Sequence, residues 1–225
     1  MTDFVFPPMP PVSVAVQGSH QRFPVRRIFC VGRNYAEHAR EMGGDPQAEP
    51  PFFFTKPADA VVESGATIAF PSMTSDLHHE AELVVALGGG GENLGTDAAA
   101  ALVWGYAAGN DLTRRDLQAE AKAARRPWDM AKGFDRSAVI GALRPGPLAD
   151  GGIRCRVDDH LVQSARLSDM IWPVTGIIAH LSRLVALAPG DLIYTGTPAG
   201  VGPLRPGQTC RVEIDGLLPA VVTLA

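Results

Sequence analysis

The sequence predicts an α+β fold dominated by β-strands, and three observations carry that expectation. Glycine and proline are frequent, at 24 and 19 of 225 residues, and they divide the chain into short pieces rather than long helices. Short apolar or alternating runs recur along the chain, most densely in its C-terminal part. Few stretches combine helical spacing with a capping residue. Strands scattered among few helices favour a β-dominated mixed fold over a doubly wound α/β sheet.

Taken in order, residues 1–21 read as an irregular arm with one strand at 12–16, and residues 25–31 read as a second strand. Asn34 followed by Glu37 can cap a short helix, which Gly43 and Gly44 would stop. Residues 52–55 make a strand ended by Lys56 and Pro57, residues 80–87 alternate as a strand does, and 102–108 form another. The glycine run at 88–91 lacks a following Lys-Ser/Thr, so it reads as a turn rather than a phosphate loop. Thr113 followed by Asp116 caps a helix to about Ala124, with Pro127 beyond it. Residues 173–187 are the longest helix candidate, with Pro173 suited to its first turn. Pro189-Gly190-Asp191 then turns into a strand at 192–195, and Pro206-Gly207 into one at 209–214. Asp215-Gly216 marks a hairpin into the final strand. The whole chain, 1–225, is expected to be one catalytic domain carrying the short arm.

Bulk composition narrows the function classes. Hydrophobic residues at 46% and charged residues at 20% are enough for an ordinary core. A net charge of −4, from 20 basic and 24 acidic residues, disfavours nucleic acid or an anionic membrane as partner. Cys30, Cys155 and Cys210 are scattered, which suggests a reducing cytoplasm and no cysteine-based zinc site. The start Met1-Thr2-Asp3-Phe4 lacks the basic and apolar regions of a signal peptide. No apolar run approaches the ~20 residues that span a bilayer. A cytoplasmic location is the expectation.

The chemistry concentrates in His78-His79-Glu80-Ala81-Glu82-Leu83-Val84-Val85. On a strand Glu80 and Glu82 point one way, and Ala81, Leu83 and Val85 the other. Two adjacent carboxylates on an apolar strand need a shared proton, basic partners or a cation. From this segment alone, a strand with one wet face and both glutamates in water stays open as a reading, because such strands are common. Asp111 follows a second apolar run, at a strand end before the expected helix, a rigid place for a ligand or a helix N-terminal charge. Three carboxylates with no dedicated histidine suit magnesium (Mg2+), with Mn2+ or Ca2+ tolerated, better than zinc.

Several motifs then occur together in order. They are Gly32-Arg33-Asn34-Tyr35-Ala36-Glu37-His38, Phe54-Thr55-Lys56-Pro57, and His79-Glu80-Ala81-Glu82-Leu83. Asn110-Asp111-Leu112-Thr113-Arg114-Arg115-Asp116-Leu117-Gln118, Ala131-Lys132-Gly133-Phe134-Asp135 after Trp128, and Thr195-Gly196-Thr197-Pro198-Ala199-Gly200-Val201-Gly202-Pro203 follow. This set resembles the fumarylacetoacetate hydrolase family from about Val31 onward. The resemblance implies a mixed β-sandwich roll and a divalent metal held by Glu80, Glu82 and Asp111. It also implies metal-dependent cleavage of a carbon–carbon bond in a chelating 2-oxo acid, and a homodimer.

The same resemblance assigns roles. His38 and Glu41 lie three apart on a short expected helix and share a face, so they can form a dyad or a plain surface pair. The family pattern makes them the base that activates water. Lys132, otherwise a solvated lysine, is implied to stabilise the enolate or oxyanion. Arg115 and Gln118 also share a face, and with Lys56 and Thr197 they complete the implied substrate contacts. The Gly-Arg-Asn-Tyr start looks closest to the family's fumarylpyruvate hydrolases and acylpyruvases, of gentisate-type aromatic catabolism. A second substrate carboxylate would need a further cation, for which Arg33, Arg125 and Arg126 are candidates. Oxaloacetate decarboxylation, hydroxymuconate-type isomerisation or decarboxylation, and an inactive metal-binding scaffold are the alternatives.

Overall fold

The structure, a computed structural model, describes residues 3–41 and 50–225, without the side chains of Ala39 and Glu41. Its N-terminal elements are β1 (Ser13–Ala15), β2 (Arg22–Pro24), β3 (Arg27–Val31), α1 (Ala36–Glu41) and β4 (Phe53–Lys56). Then come β5 (Val61–Glu63), β6 (Ala66–Ile68), β7 (Leu77–His79), β8 (Ala81–Leu87), α2 (Thr96–Ala101) and β9 (Val103–Asp111). The middle of the chain forms β10 (Thr113–Arg114), α3 (Arg115–Ala123), α4 (Asp129–Lys132), β11 (Ala138–Ile140) and β12 (Arg144–Pro145). The rest is β13 (Gly152–Val157), β14 (His160–Arg166), α5 (Val174–Leu181), β15 (Asp191–Tyr194), β16 (Gly202–Leu204), β17 (Thr209–Ile214) and β18 (Ala220–Leu224).

The large sheet runs β4-β3-β15-β8-β9-β11-β5, with β12 added to β9. A second sheet runs β14-β13-β17-β18-β6, and small sheets pair β10-β7-β16 and β1-β2. The β3/β15, β5/β11 and β6/β18 pairs are parallel and the other paired strands antiparallel, so this is the mixed, strand-dominated α+β architecture expected. Strand β8 lies inside it, buried at every position. Its alternation sends Leu83, Val85 and Leu87 into one core with Val212 and Val222 of the second sheet and Ile177 and Ile178 of α5. Val84 and Ala86 point into the other core, with Val14, Phe23, Ile28 and Tyr194. Each Leu, Val, Ile or Phe among them contributes about 1.5–3 kcal/mol of burial, and two covered faces explain why β8 has no wet side. No helix among the described residues is long and apolar enough to cross a membrane.

Three expected local features differ. Thr113 does not cap α3: it pairs with His78 in β10, and its Oγ1 donates to the Asp111 carbonyl at 3.0 Å. Asn34 does not cap α1 either. Its amide donates to the carbonyls of Thr195 (2.8 Å) and Trp172 (3.0 Å), and its Oδ1 accepts from the Trp172 N–H at 2.7 Å. The expected stop at Gly43 and Gly44 lies outside the described residues. The helix that begins after Pro173 ends at Leu181, so α3, with 9 residues against 8, is longer.

Candidate metal centre and its surroundings

Strands β8 and β9 pair with Ala81 opposite Asn110 and Glu82 opposite Gly109, and the Asp111 N–H donates to the Glu80 carbonyl at 2.9 Å. This register brings Glu80, just before β8, beside Asp111, the last residue of β9. One ligand atom from each of Glu80, Glu82 and Asp111 lies within 4.8 Å of the other two, and all three residues are buried. Glutamates in water on a half-exposed strand are thereby excluded.

Cations, two of them buried lysines, surround the cluster unevenly. Lys132, at the end of α4, donates to Glu80 Oε2 at 2.7 Å and to Asp111 Oδ2 at 2.8 Å. Arg115 donates to Glu80 Oε1 and, at 2.6 Å, to Gln118 Oε1. Lys56 Nζ lies 2.7 Å from Asp111 Oδ1, and two of its three N–H groups go to the carbonyls of Leu112 and Lys132. Asp111 Oδ1 is thus paired with the Lys56 ammonium by charge, without a well-aligned hydrogen bond among the described residues. Among the described residues Glu82 makes no ion pair, and it accepts the Gly196 N–H at 2.8 Å.

These settings separate the two glutamates. Burial alone would raise Glu80, but Lys132, Arg115 and His38 outweigh it and hold the carboxyl well below the usual range. Burial pushes Glu82 well above that range, with Asp111 and Glu80 adding to it. Burial would also lower Lys132, yet Asp111 and Glu80 raise it, so it stays an ammonium donor rather than a base. An all-oxygen site and a glutamate that resists ionisation fit a hard divalent cation, which would stabilise the charged form of Glu82.

The remaining expected residues converge here to different degrees. His38 on α1 is 3% exposed and close enough to Glu80 to act on its ionisation. The Glu41 side chain expected to partner it lies outside the described residues. Thr197 is buried, and its Oγ1 accepts from Gln163 Nε2 at 2.8 Å. Arg33 lies 5.4 Å from the Phe52 ring centroid. Arg126, with Phe52, Phe54, Trp128 and Lys132, lines a cavity of about 450 Å³. Arg125 is exposed in a left-handed turn (φ 53°) after α3, away from that lining.

Sequence reasoning missed the buried amides that hold the cluster from behind. Asn110 Oδ1 accepts the Glu80 N–H at 3.0 Å. Gln163, from β14 of the other sheet, accepts the Ala81 N–H at 3.0 Å, meets His79 Nδ1 at 3.0 Å and donates to Thr197. Asn110 was readable, since it precedes Asp111; Gln163 carried no local signal, because its partners are 34 or more residues away.

Comparison with known proteins agrees with this architecture. Residues 27–225 match the family described as fumarylacetoacetate (FAA) hydrolase, C-terminal. A fumarylpyruvate hydrolase of Ralstonia sp is 43% identical over 183 residues, covering 80% of this chain and 95% of that protein. A mitochondrial oxaloacetate decarboxylase of Dictyostelium discoideum is 40% identical over 197 residues, covering 85% and 90%. The crystal structure of a Pseudomonas aeruginosa fumarylpyruvate hydrolase with Mn2+ and pyruvate superposes with a TM-score of 0.96 at 48% identity, covering 99% of each chain. The chain belongs to the fumarylacetoacetate hydrolase family, as a hydrolase acting on carbon–carbon bonds.

Proposed function

We propose that this protein hydrolyses an acylpyruvate, foremost fumarylpyruvate, to the acyl acid and pyruvate, with Mg2+ or Mn2+ held by Glu80, Glu82 and Asp111. The observation that carries the reading is the buried carboxylate triad, with Lys132 bridging two of its members. The Pseudomonas relative crystallised with Mn2+ and pyruvate supports both the metal and the pyruvoyl end of the substrate. A bound divalent ion supplies Lewis acidity toward the oxygens of a 2-oxo acid.

The chain's own groups supply the rest. His38, with Glu41 as its partner, takes a proton from water, whose oxygen then adds to the acyl carbonyl carbon. The carbon–carbon bond to the methylene breaks, its electron pair stays with the pyruvate half as an enolate, and the proton held by His38 returns to that carbon. Two of the three N–H groups of Lys132 are engaged by Glu80 and Asp111, which leaves one for the developing oxyanion. Arg115 and Gln118, hydrogen-bonded to each other, orient the substrate carboxylate, and Lys56 and Thr197 complete the polar wall.

Oxaloacetate decarboxylation is the second reading, favoured by the Dictyostelium relative. A panel of fumarylpyruvate, acetylpyruvate and oxaloacetate with Mn2+, followed by product analysis, separates the two. Fumarate and pyruvate in equal amounts are expected from the first compound. Carbon dioxide from oxaloacetate, with both acylpyruvates untouched, would sink the hydrolytic reading.

A further inference from the structure

Helix α3 carries Arg115, Gln118 and Lys122 at spacings of three and four, so the three leave one face. Arg115 contacts the carboxylate cluster directly, and Gln118 contacts Arg115. Lys122 stands two turns beyond Arg115, about 10 Å along the axis at ~1.5 Å per residue. The residue as a whole is exposed, but its ammonium lies 5.1 Å from the Trp128 ring centroid. Trp128 is also one of the residues lining the cavity of about 450 Å³ that reaches Lys132, so Lys122 meets that cavity through the Trp128 ring and is not itself part of the lining. Among the described residues Lys122 makes no ion pair.

Its surroundings are rich in cations. Partial burial lowers the Lys122 pKa, and Arg115 and Arg33 push it the same way. Glu80 pulls in the opposite direction, but it is already held by Arg115 and Lys132. A negative group brought by a ligand would relieve this local excess.

We propose that Lys122, seated against Trp128, is a specificity-determining residue that receives the distal carboxylate of a dicarboxylic 2-oxo acid. The pyruvoyl end lies at Glu80, Glu82 and Asp111, so the inference rests on the acylpyruvate reading. A seven-carbon diacid spans about 7.5 Å between its end carbons, at ~1.25 Å per bond of a zigzag chain. Side chains as long as Arg115 and Lys122 can reach the two ends of a ligand of that length from one helix face. The flat unsaturated arm of such a substrate would cross the aromatic wall of Phe52, Phe54 and Trp128.

The test is binding of two seven-carbon probes, 2-oxoheptanedioate and 2-oxoheptanoate, to Mn2+-loaded protein by calorimetry. Neither has the 1,3-dicarbonyl that hydrolysis requires, so affinity is read apart from turnover. Wild type should favour the diacid by about 10–100-fold, the range of one charged hydrogen bond. Lys122→Gln should cut that preference to within about threefold without changing the affinity for the monoacid, and Lys122→Arg should keep most of it. No preference in wild type, preference retained in Lys122→Gln, or equal losses on both probes would overturn the assignment. So would loss of the preference in Arg126→Gln alone. Absence of fumarylpyruvate turnover by wild type would count against the proposed reaction, and the affinity ratios would still decide the role of Lys122.

Discussion

At the scale of single residues, His38 and Glu82 make separable claims. His38 is buried beside the cluster but is not one of its three carboxylates, so as the base it acts on the water and not on the metal. His38→Ala should lower kcat on an acylpyruvate by about 10²–10⁴ while the Mn2+ affinity stays near wild type. Oxaloacetate decarboxylation needs no attacking water and should survive; an unchanged hydrolysis rate would remove His38 from the chemistry. Glu82 tests the metal assignment through pH. Its carboxyl is raised in the metal-free protein, so below that raised value a cation must displace a proton. Mn2+ affinity should therefore strengthen as pH rises, by up to about tenfold per unit for one displaced proton. Calorimetry in two buffers of different ionisation enthalpy should find proton release, and none would contradict Glu82 as a ligand. The carboxylates, lysines and His38 were legible because each sits in a short contiguous motif. Lys122 was not singled out, although its spacing from Arg115 and Gln118 was available.

At the scale of elements, the segment after β15 holds the site together. Gly196 has φ 96°, donates its N–H to Glu82, and would bring an added Cβ within 2.7 Å of Asn34 Cβ. Gly196→Ala should cost about 1–3 kcal/mol in strain and weaken Mn2+ binding, since the displaced N–H no longer meets Glu82. Denaturant melts and Mn2+ titration check this; a variant with wild-type stability and affinity would show the turn to be tolerant. The same elements show where local signals work. Strand β17 spans Thr209–Ile214 as expected, because Pro206-Gly207 and Asp215-Gly216 punctuate both ends. The cap pattern at Thr113 misled, because tertiary pairing with His78 takes that residue into a strand. The Asn34 amide was likewise taken by backbone groups about 140–160 residues away, a demand no local window contains.

At the scale of the molecule, one sheet is covered on both faces and the carboxylates emerge where β8 begins and β9 ends, at the edge of both cores. Period-two patterning made the strands legible, but not the second covering layer, so the alternation in residues 80–87 left a wet face open. Lys132, Arg115 and Lys56 offset charge on Glu80 and Asp111, and the place left for a divalent ion is beside Glu82, whose charged form burial and its carboxylate neighbours disfavour. The most direct test strips the protein with a chelator and follows fumarylpyruvate by simultaneous assay of fumarate and pyruvate, before and after adding Mg2+ or Mn2+. Turnover should be negligible in the stripped protein and return on addition, with the two products in equal amounts. Undiminished turnover without metal, or no fumarate after metal is restored, would contradict metal-dependent hydrolysis at Glu80, Glu82 and Asp111.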